Sequence, residues 1–247
     1  ALAPFYKQLA KLACLTIRDG KEEQNETVNL LDERLLGTPT MAVERAMEVT
    51  VAMADIAVGG LRQSLPLLDT YDPKVAEQVR NLEEKCDNYE DALGTYLVKL
   101  SSCSMSESDT RTVTKLLHLI GDFERISDHS VNIVESAEEM QEKKIVFSEE
   151  ATRELTVIRA ALDKILVMAK DAFVKNDLRL AAAVEPLEQV VDDLRDQIKS
   201  NHIVRLQKNE CTIEHGFILS DLLTNFERVS DHCSNIAGCV IEIGEHD

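Results

Sequence analysis

Phe123-Glu124-Arg125-Ile126-Ser127-Asp128-His129 returns almost letter for letter as Phe226-Glu227-Arg228-Val229-Ser230-Asp231-His232, 103 positions later. Asn132-Ile133 returns as Asn235-Ile236 at the same offset. A second pair of anchors, Leu82-Glu83 with Asp87 and Leu187-Glu188 with Asp192, is separated by 105 positions. Two independent anchors at nearly one offset point to internal duplication, with one structural unit written twice.

Outward from these anchors the apolar residues keep a helical period. Leu116, Leu119, Phe123, Ile126, Ser130 and Ile133 step by three and four, as do Leu219, Leu222, Phe226, Val229, Cys233, Ile236, Val240 and Ile243. Val75, Val79, Leu82, Cys86, Tyr89, Leu93 and Tyr96 form a cleaner heptad seam, and Leu180, Val184, Leu187, Val191, Leu194 and Ile198 repeat it. Helices over 41–65 and 151–174 complete each unit. Thr38-Pro39 reads as an N-cap with proline at the first helical position, and Pro66 with Asp72-Pro73 ends that helix and opens the next. Gly59-Gly60 marks either a kink or a close helix approach. Ser101 to Ser108 reads as a turn and Glu138 to Lys144 as a charged connector, while Ser148 with Glu149 and Glu150 reads as a second N-cap with acids in its first turn.

The expected fold is therefore all-α, with two tandem three-helix-bundle repeats over 38–145 and 146–247. An N-terminal segment, 1–37, precedes them. Within it Leu2, Phe5, Leu9, Leu12 and Leu15 alternate with Lys7, Lys11 and Arg18. That basic amphipathic stretch suits either a helix lying on a membrane surface or an extra helix of the bundle.

Composition agrees. The 247 residues are 44% hydrophobic but only 4% aromatic, without Trp, as in bundles whose seams are filled by aliphatic residues. Nine Gly and five Pro leave few turns for a β-sandwich. The net charge of -18 excludes nucleic acid as a partner, since a polyanion would be repelled. The six Cys form no CxxC pair, and Cys86 and Cys233 fall on apolar helical positions, as small core residues in a reducing compartment do. No segment reaches the roughly 18 apolar residues of a membrane span. A cytoplasmic chain is expected, membrane-associated only through a parent membrane domain or the N-terminal segment.

The chemistry lies in carboxylates. Each unit carries two ExxxD pairs: Glu83/Asp87 and Glu124/Asp128, then Glu188/Asp192 and Glu227/Asp231. Residues i and i+4 share a helix face, so each pair is two carboxylates stacked one turn apart beside the buried seam. Like charges so placed repel unless a cation sits between them. Carboxylate oxygens are hard ligands that suit iron, manganese, magnesium or calcium and also serve zinc. An isolated ExxxD is ordinarily a solvated face; four at repeat-equivalent positions are not ordinary. His129 and His232 are either nitrogen donors or hydrogen-bonded structural residues. Asn132 and Asn235 either orient the neighbouring aspartates or simply pack.

FERISDHSVNI (Phe123–Ile133) and NFERVSDHCSNI (Asn225–Ile236) resemble the signature helix of the PhoU family, whose run reads YERIGDHAxNI, and the LExxxD pairs resemble its other acidic helix. The likeness spans Thr38 to Gly244. It implies a six-helix, two-repeat bundle that regulates phosphate uptake and phosphate signalling and is not an enzyme. It also implies iron or zinc, with manganese or magnesium as alternatives, on Glu83, Asp87, Glu124, Asp128, Glu188, Asp192, Glu227 and Asp231. Phe123, Phe226, Ser127 and Ser230 depart from the family's Tyr and Gly. A narrower likeness, LDERLLGTPTMAVERAMEV (Leu31–Val49), is to the segment preceding the C-terminal PhoU-like domain of sodium/phosphate cotransporters. The implied partner is a phosphate transporter, in cis if the chain is a transporter tail, or a phosphate-signalling kinase, and homodimerisation is open. Two other classes remain: a metal-free helical adaptor or dimerisation module, and a di-iron carboxylate enzyme. The latter class uses Glu-x-x-His pairs, which these helices lack. No phosphate-cradling glycine loop, nucleophile elbow or dinucleotide fingerprint occurs.

Overall fold

Short-range capping chemistry sets where most helices start. In the computed structural model, which describes residues 31–244, a 3-10 turn over Glu33–Gly37 leads into α1, Pro39–Ser64. Thr38 stands at the N-cap, but its hydroxyl makes no capping bond, so Pro39 alone favours the start. Helix α2, Pro73–Ser101, opens where the Asp72 carboxylate accepts the Lys74 N–H at 2.8 Å. Ser106 caps α3, Glu107–Lys143, through the Asp109 N–H at 3.0 Å, and Ser148 caps α4, Glu149–Lys175, through the Ala151 N–H at 3.3 Å. A short α5, Leu178–Ala182, precedes α6, Val184–Gln207, and α7, Ile213–Gly244. The amphipathic stretch Ala1–Ile17 lies outside the described residues.

Two expectations need correction. The charged run Glu138 to Lys144 is not a connector, because α3 continues through it to Lys143. Val134 and Ala137 are buried against Leu67, Ala76 and Val79, and Glu138 accepts hydrogen bonds from Tyr71 Oη and Arg80 Nη2, each at 2.7 Å. Burial on one face and paired charge on the other hold the helix until Lys144 turns left-handed at φ 53°. The fifth predicted helix, in turn, is broken after Ala182. Pro186 has no N–H to return to the Ala182 carbonyl, so the helix restarts at Val184.

Helices α1, α2 and α3 pack on one another around the first core; α4, α6 and α7 do the same in the second unit. The seams are as the heptads require: Leu116, Leu119, Phe123, Ile126 and Ile133 are buried, as are Leu222, Phe226, Val229, Cys233 and Ile236. Gly59-Gly60 leaves α1 unbroken. A Cβ at Gly60 would stand 3.6 Å from Ser130 Oγ of α3 and 3.7 Å from Leu82 Cβ of α2, so this is where the three helices approach closely.

The units join through their equivalent third helices, α3 against α7, with a lesser contact of α1 on α4. Phe123 of the first unit meets Phe173 of the second at 5.6 Å between ring centroids, and the two cores merge into one. Along the α1–α4 edge, Arg62 pairs with Asp163 at 2.6 Å and Lys170 with Asp55 at 2.8 Å. No helix among the described residues is long and apolar enough to cross a membrane.

Candidate metal centre

Because Leu82 and Phe123 point their helices' seams inward, the next residues, Glu83 and Glu124, lie at the rim between α2 and α3. Asp87 and Asp128 follow one turn later. Glu83, Asp87 and Asp128 each bring one carboxylate oxygen to within 4.8 Å of the other two. Oxygens around one divalent cation, each at about 2.0 to 2.6 Å from it, span at most about 5 Å. The donor set therefore fits a hard cation, and among the described residues it is the one convergence of three such groups.

The electrostatics match that geometry. Burial first, then the charges of Asp87 and Asp128, raise Glu83 above the usual carboxylate range. Burial and Asp128 raise Asp87. Glu124 is pushed up to about 7 by burial and by Asp128 beside it. Glu90, one turn beyond Asp87, is raised by burial and by Asp91 and Asp87. Among the described residues one cation touches the cluster: Arg125, with Nε 3.4 Å from Glu124 Oε2 and Nη1 3.2 Å from Asp128 Oδ2. Arg125 is 61% exposed, so it screens these acids only weakly. Glu90, Glu124 and Arg125 open onto a groove of about 660 Å³ whose far wall includes Asn235 and Glu242 of α7.

The second repeat does not reproduce this arrangement. Glu188 and Asp231 are raised, chiefly by burial and then by Asp192 and Glu227 respectively. Asp192 and Glu227, however, are bridged by Arg195, whose Nη1 lies 3.4 Å from Asp192 Oδ1 and also pairs with Glu227 Oε1. Burial pulls the Arg195 guanidinium down, but its bonds to Glu227 and Asp196 outweigh that and hold it firmly protonated. Thus Glu188, Asp192, Glu227 and Asp231 are brought to one helix pair, but with an internal cation among them.

The two histidines take a different part. Their rings face each other at 5.9 Å between centroids, where α3 crosses α7. His129 Nδ1 is 2.8 Å from Asn225 Oδ1, and His232 Nδ1 is 2.9 Å from Asp122 Oδ1. Asn132 donates to the same Asn225 oxygen and Asn235 to the same Asp122 oxygen, each at 3.1 Å. Asp122 and Asn225 are themselves 103 positions apart, so the lock is reciprocal about a pseudo-two-fold axis. Through Nδ1 both rings join the repeats. Asp122, Asn225, Glu90 and Arg195 escaped sequence reasoning, although carrying the two offsets beyond the motif pairs 122 with 225 and 90 with 195.

Comparison with known proteins gives the same duplication from outside. Residues 50–137 and 158–240 each match the PhoU domain. The phosphate-specific transport system accessory protein PhoU homolog 1 of Thermotoga maritima is 30% identical over 133 residues, 54% of this chain and 56% of that protein. A PhoU homolog of Xylella fastidiosa is 23% identical over 81% of this chain and 83% of its own. The fold superposes on crystal structures of PhoU from Pseudomonas aeruginosa, with a TM-score of 0.77, 22% identity and coverage of 85% of this chain and 99% of that one. For the phosphate transport system regulatory protein PhoU from Streptococcus pneumoniae, the TM-score is 0.72 at 17% identity, covering 85% and 98%. With both repeats matched over most of the chain, this protein belongs to the PhoU family.

Proposed function

We propose that this chain is a cation-binding regulatory domain that controls phosphate transport through protein contacts. The observation that carries the reading is the convergence of Glu83, Asp87 and Asp128 across α2 and α3, beside a Glu124 pushed up to about 7. Relatives named as accessory proteins of phosphate-specific transport supply the biological setting. A bound iron, zinc or manganese ion would supply the positive charge that offsets these acids.

The residues then act as a clamp. Glu83 and Asp87 anchor one side on α2, Glu124 and Asp128 the other on α3, and fixing that helix pair fixes the outer surface they present. The partner is a phosphate transporter, either a separate transport system or, in cis, the membrane domain of a sodium/phosphate cotransporter. A phosphate-signalling kinase is the further partner such a surface would serve. None of these residues forms a nucleophile–base pair, and the reading is one of binding and regulation.

Elemental analysis of untagged protein tests the site, beside a variant carrying Glu83→Gln, Asp87→Asn, Glu124→Gln and Asp128→Asn. The expected result is stoichiometric iron, zinc or manganese in the parent and its loss in the variant. Equal, near-zero metal in both would sink the assignment and leave a metal-free helical adaptor.

A further inference from the structure

The two acid clusters are duplicates in sequence and unlike in charge. At the offset that pairs Glu83 with Glu188 and Asp87 with Asp192, position 90 is Glu and position 195 is Arg. Arg195 leaves α6 one turn past Asp192, reaches across to Glu227 of α7, and anchors its Nε on Asp196 Oδ1 at 3.0 Å. Asp192 and Glu227 are the equivalents of Asp87 and Glu124. The Arg195 side chain is only 14% exposed, so its guanidinium is held inside the cluster. The other arginines do not distinguish the repeats: Arg228 sits 3.5 Å from Asp231 as Arg125 sits 3.2 Å from Asp128, and both are 61% exposed.

We propose that Arg195 is the resident cation of the second cluster and closes it to metal ions, so that the residue at position 90 or 195 decides which repeat can take an ion. A tethered guanidinium has a high effective concentration at carboxylates one turn away on its own helix. A divalent ion entering there would have to break the guanidinium's pairing with Asp192 and Glu227, leaving it only the exposed Asp196, and would set two cations against each other. In the first repeat Glu90 does the opposite and adds a further carboxylate beside Asp87, on the groove that Glu124 also lines. The inference rests on the cation-binding reading of the first repeat, but the behaviour of Arg195 can be tested apart from it.

The experiment is Mn²⁺ titration of the chelator-stripped 247-residue chain, following free Mn²⁺ by its electron paramagnetic resonance signal. In the parent, binding is expected to be lost with Glu83→Gln/Asp87→Asn and unchanged with Glu188→Gln/Asp231→Asn. Arg195→Gln is expected to gain a new class of Mn²⁺ site, which adding Asp231→Asn removes. The reciprocal change, Glu90→Arg, is expected to weaken Mn²⁺ binding at least tenfold, and it decides the matter if Arg195→Gln loses its helical circular dichroism. No gain in a folded Arg195→Gln, or unchanged binding in Glu90→Arg where the parent binds Mn²⁺, would overturn the proposal. A parent that binds no Mn²⁺ beside an Arg195→Gln that does would remove the proposed function of the first repeat while supporting the role of Arg195.

Discussion

Glu124 shows what one position in this motif does to the whole chain. Its folded value near 7 lies above the ordinary 4.5, because burial and Asp128 disfavour its charge. Between those values the folded chain keeps a proton that the unfolded chain has released, so stability falls as pH rises through the window. In chelator-treated protein this loss should amount to about 1 kcal/mol after allowance for solvent screening. Urea melts below and above the window should show it, and Glu124→Gln should flatten the slope; a slope unaffected by that change would place the titration elsewhere. Ser230 offers a second test. Among the described residues its buried hydroxyl has no hydrogen-bond partner. Ser230→Ala should therefore raise stability by about 1 kcal/mol in thermal or urea unfolding, since it removes an unsatisfied group without leaving another.

Among the elements, the glycines of α1 and α7 separate helix propensity from packing. A Cβ on Gly59 would meet nothing within 4 Å among the described residues. Gly59→Ala should stabilise α1 by about 1 kcal/mol, the ordinary helical difference. Gly216 in α7 is the contrast: its Cβ would fall 2.8 Å from His202 Nε2 of α6, a buried ring with little room to retreat. Gly216→Ala should cost about 1 to 3 kcal/mol in spite of better propensity, through overpacking. Equal stabilisation by both changes would mean that α6 and α7 are looser than their contacts imply. The ends of the elements teach the same lesson. Thr38 has the right residue type for a cap and makes no capping bond, while Ser106 and Ser148 do.

For the whole molecule, the decisive contact is α3 against α7. The pairing runs antiparallel, from His129 with Asn225, through Asp122 with His232, to Lys115 and Glu242 at 4.0 Å. His232 and Asp122 are 19% and 14% exposed, so their bond is shielded from water. A double-mutant cycle with Asp122→Ala and His232→Ala should return a coupling of about 1 kcal/mol, read from urea unfolding. A coupling near zero would leave the apolar seam as what holds the repeats together.

The amino-acid sequence alone determined the helical class, the duplication and the four acidic pairs. Those features are local: seam residues three and four apart and carboxylates one turn apart share a face whatever the neighbouring helix is. It also placed most helix boundaries, missing the end of α3, where Val134 and Ala137 buried against Leu67, Ala76 and Val79 carry the helix through a charged run, and the break that Pro186 imposes after Ala182. What only the tertiary structure decided is which side chains meet across helices. The register of α2 on α3 brings Glu83, Asp87 and Asp128 together, and the register of α6 on α7 carries Arg195 to Glu227. The histidines, read as nitrogen donors or structural residues, are held at the seam between repeats through Nδ1 by Asp122 and Asn225. Periodicity fixes the face a residue occupies, but the height and angle at which two faces pack depend on the whole core, and the charge balance of each cluster depends on that height.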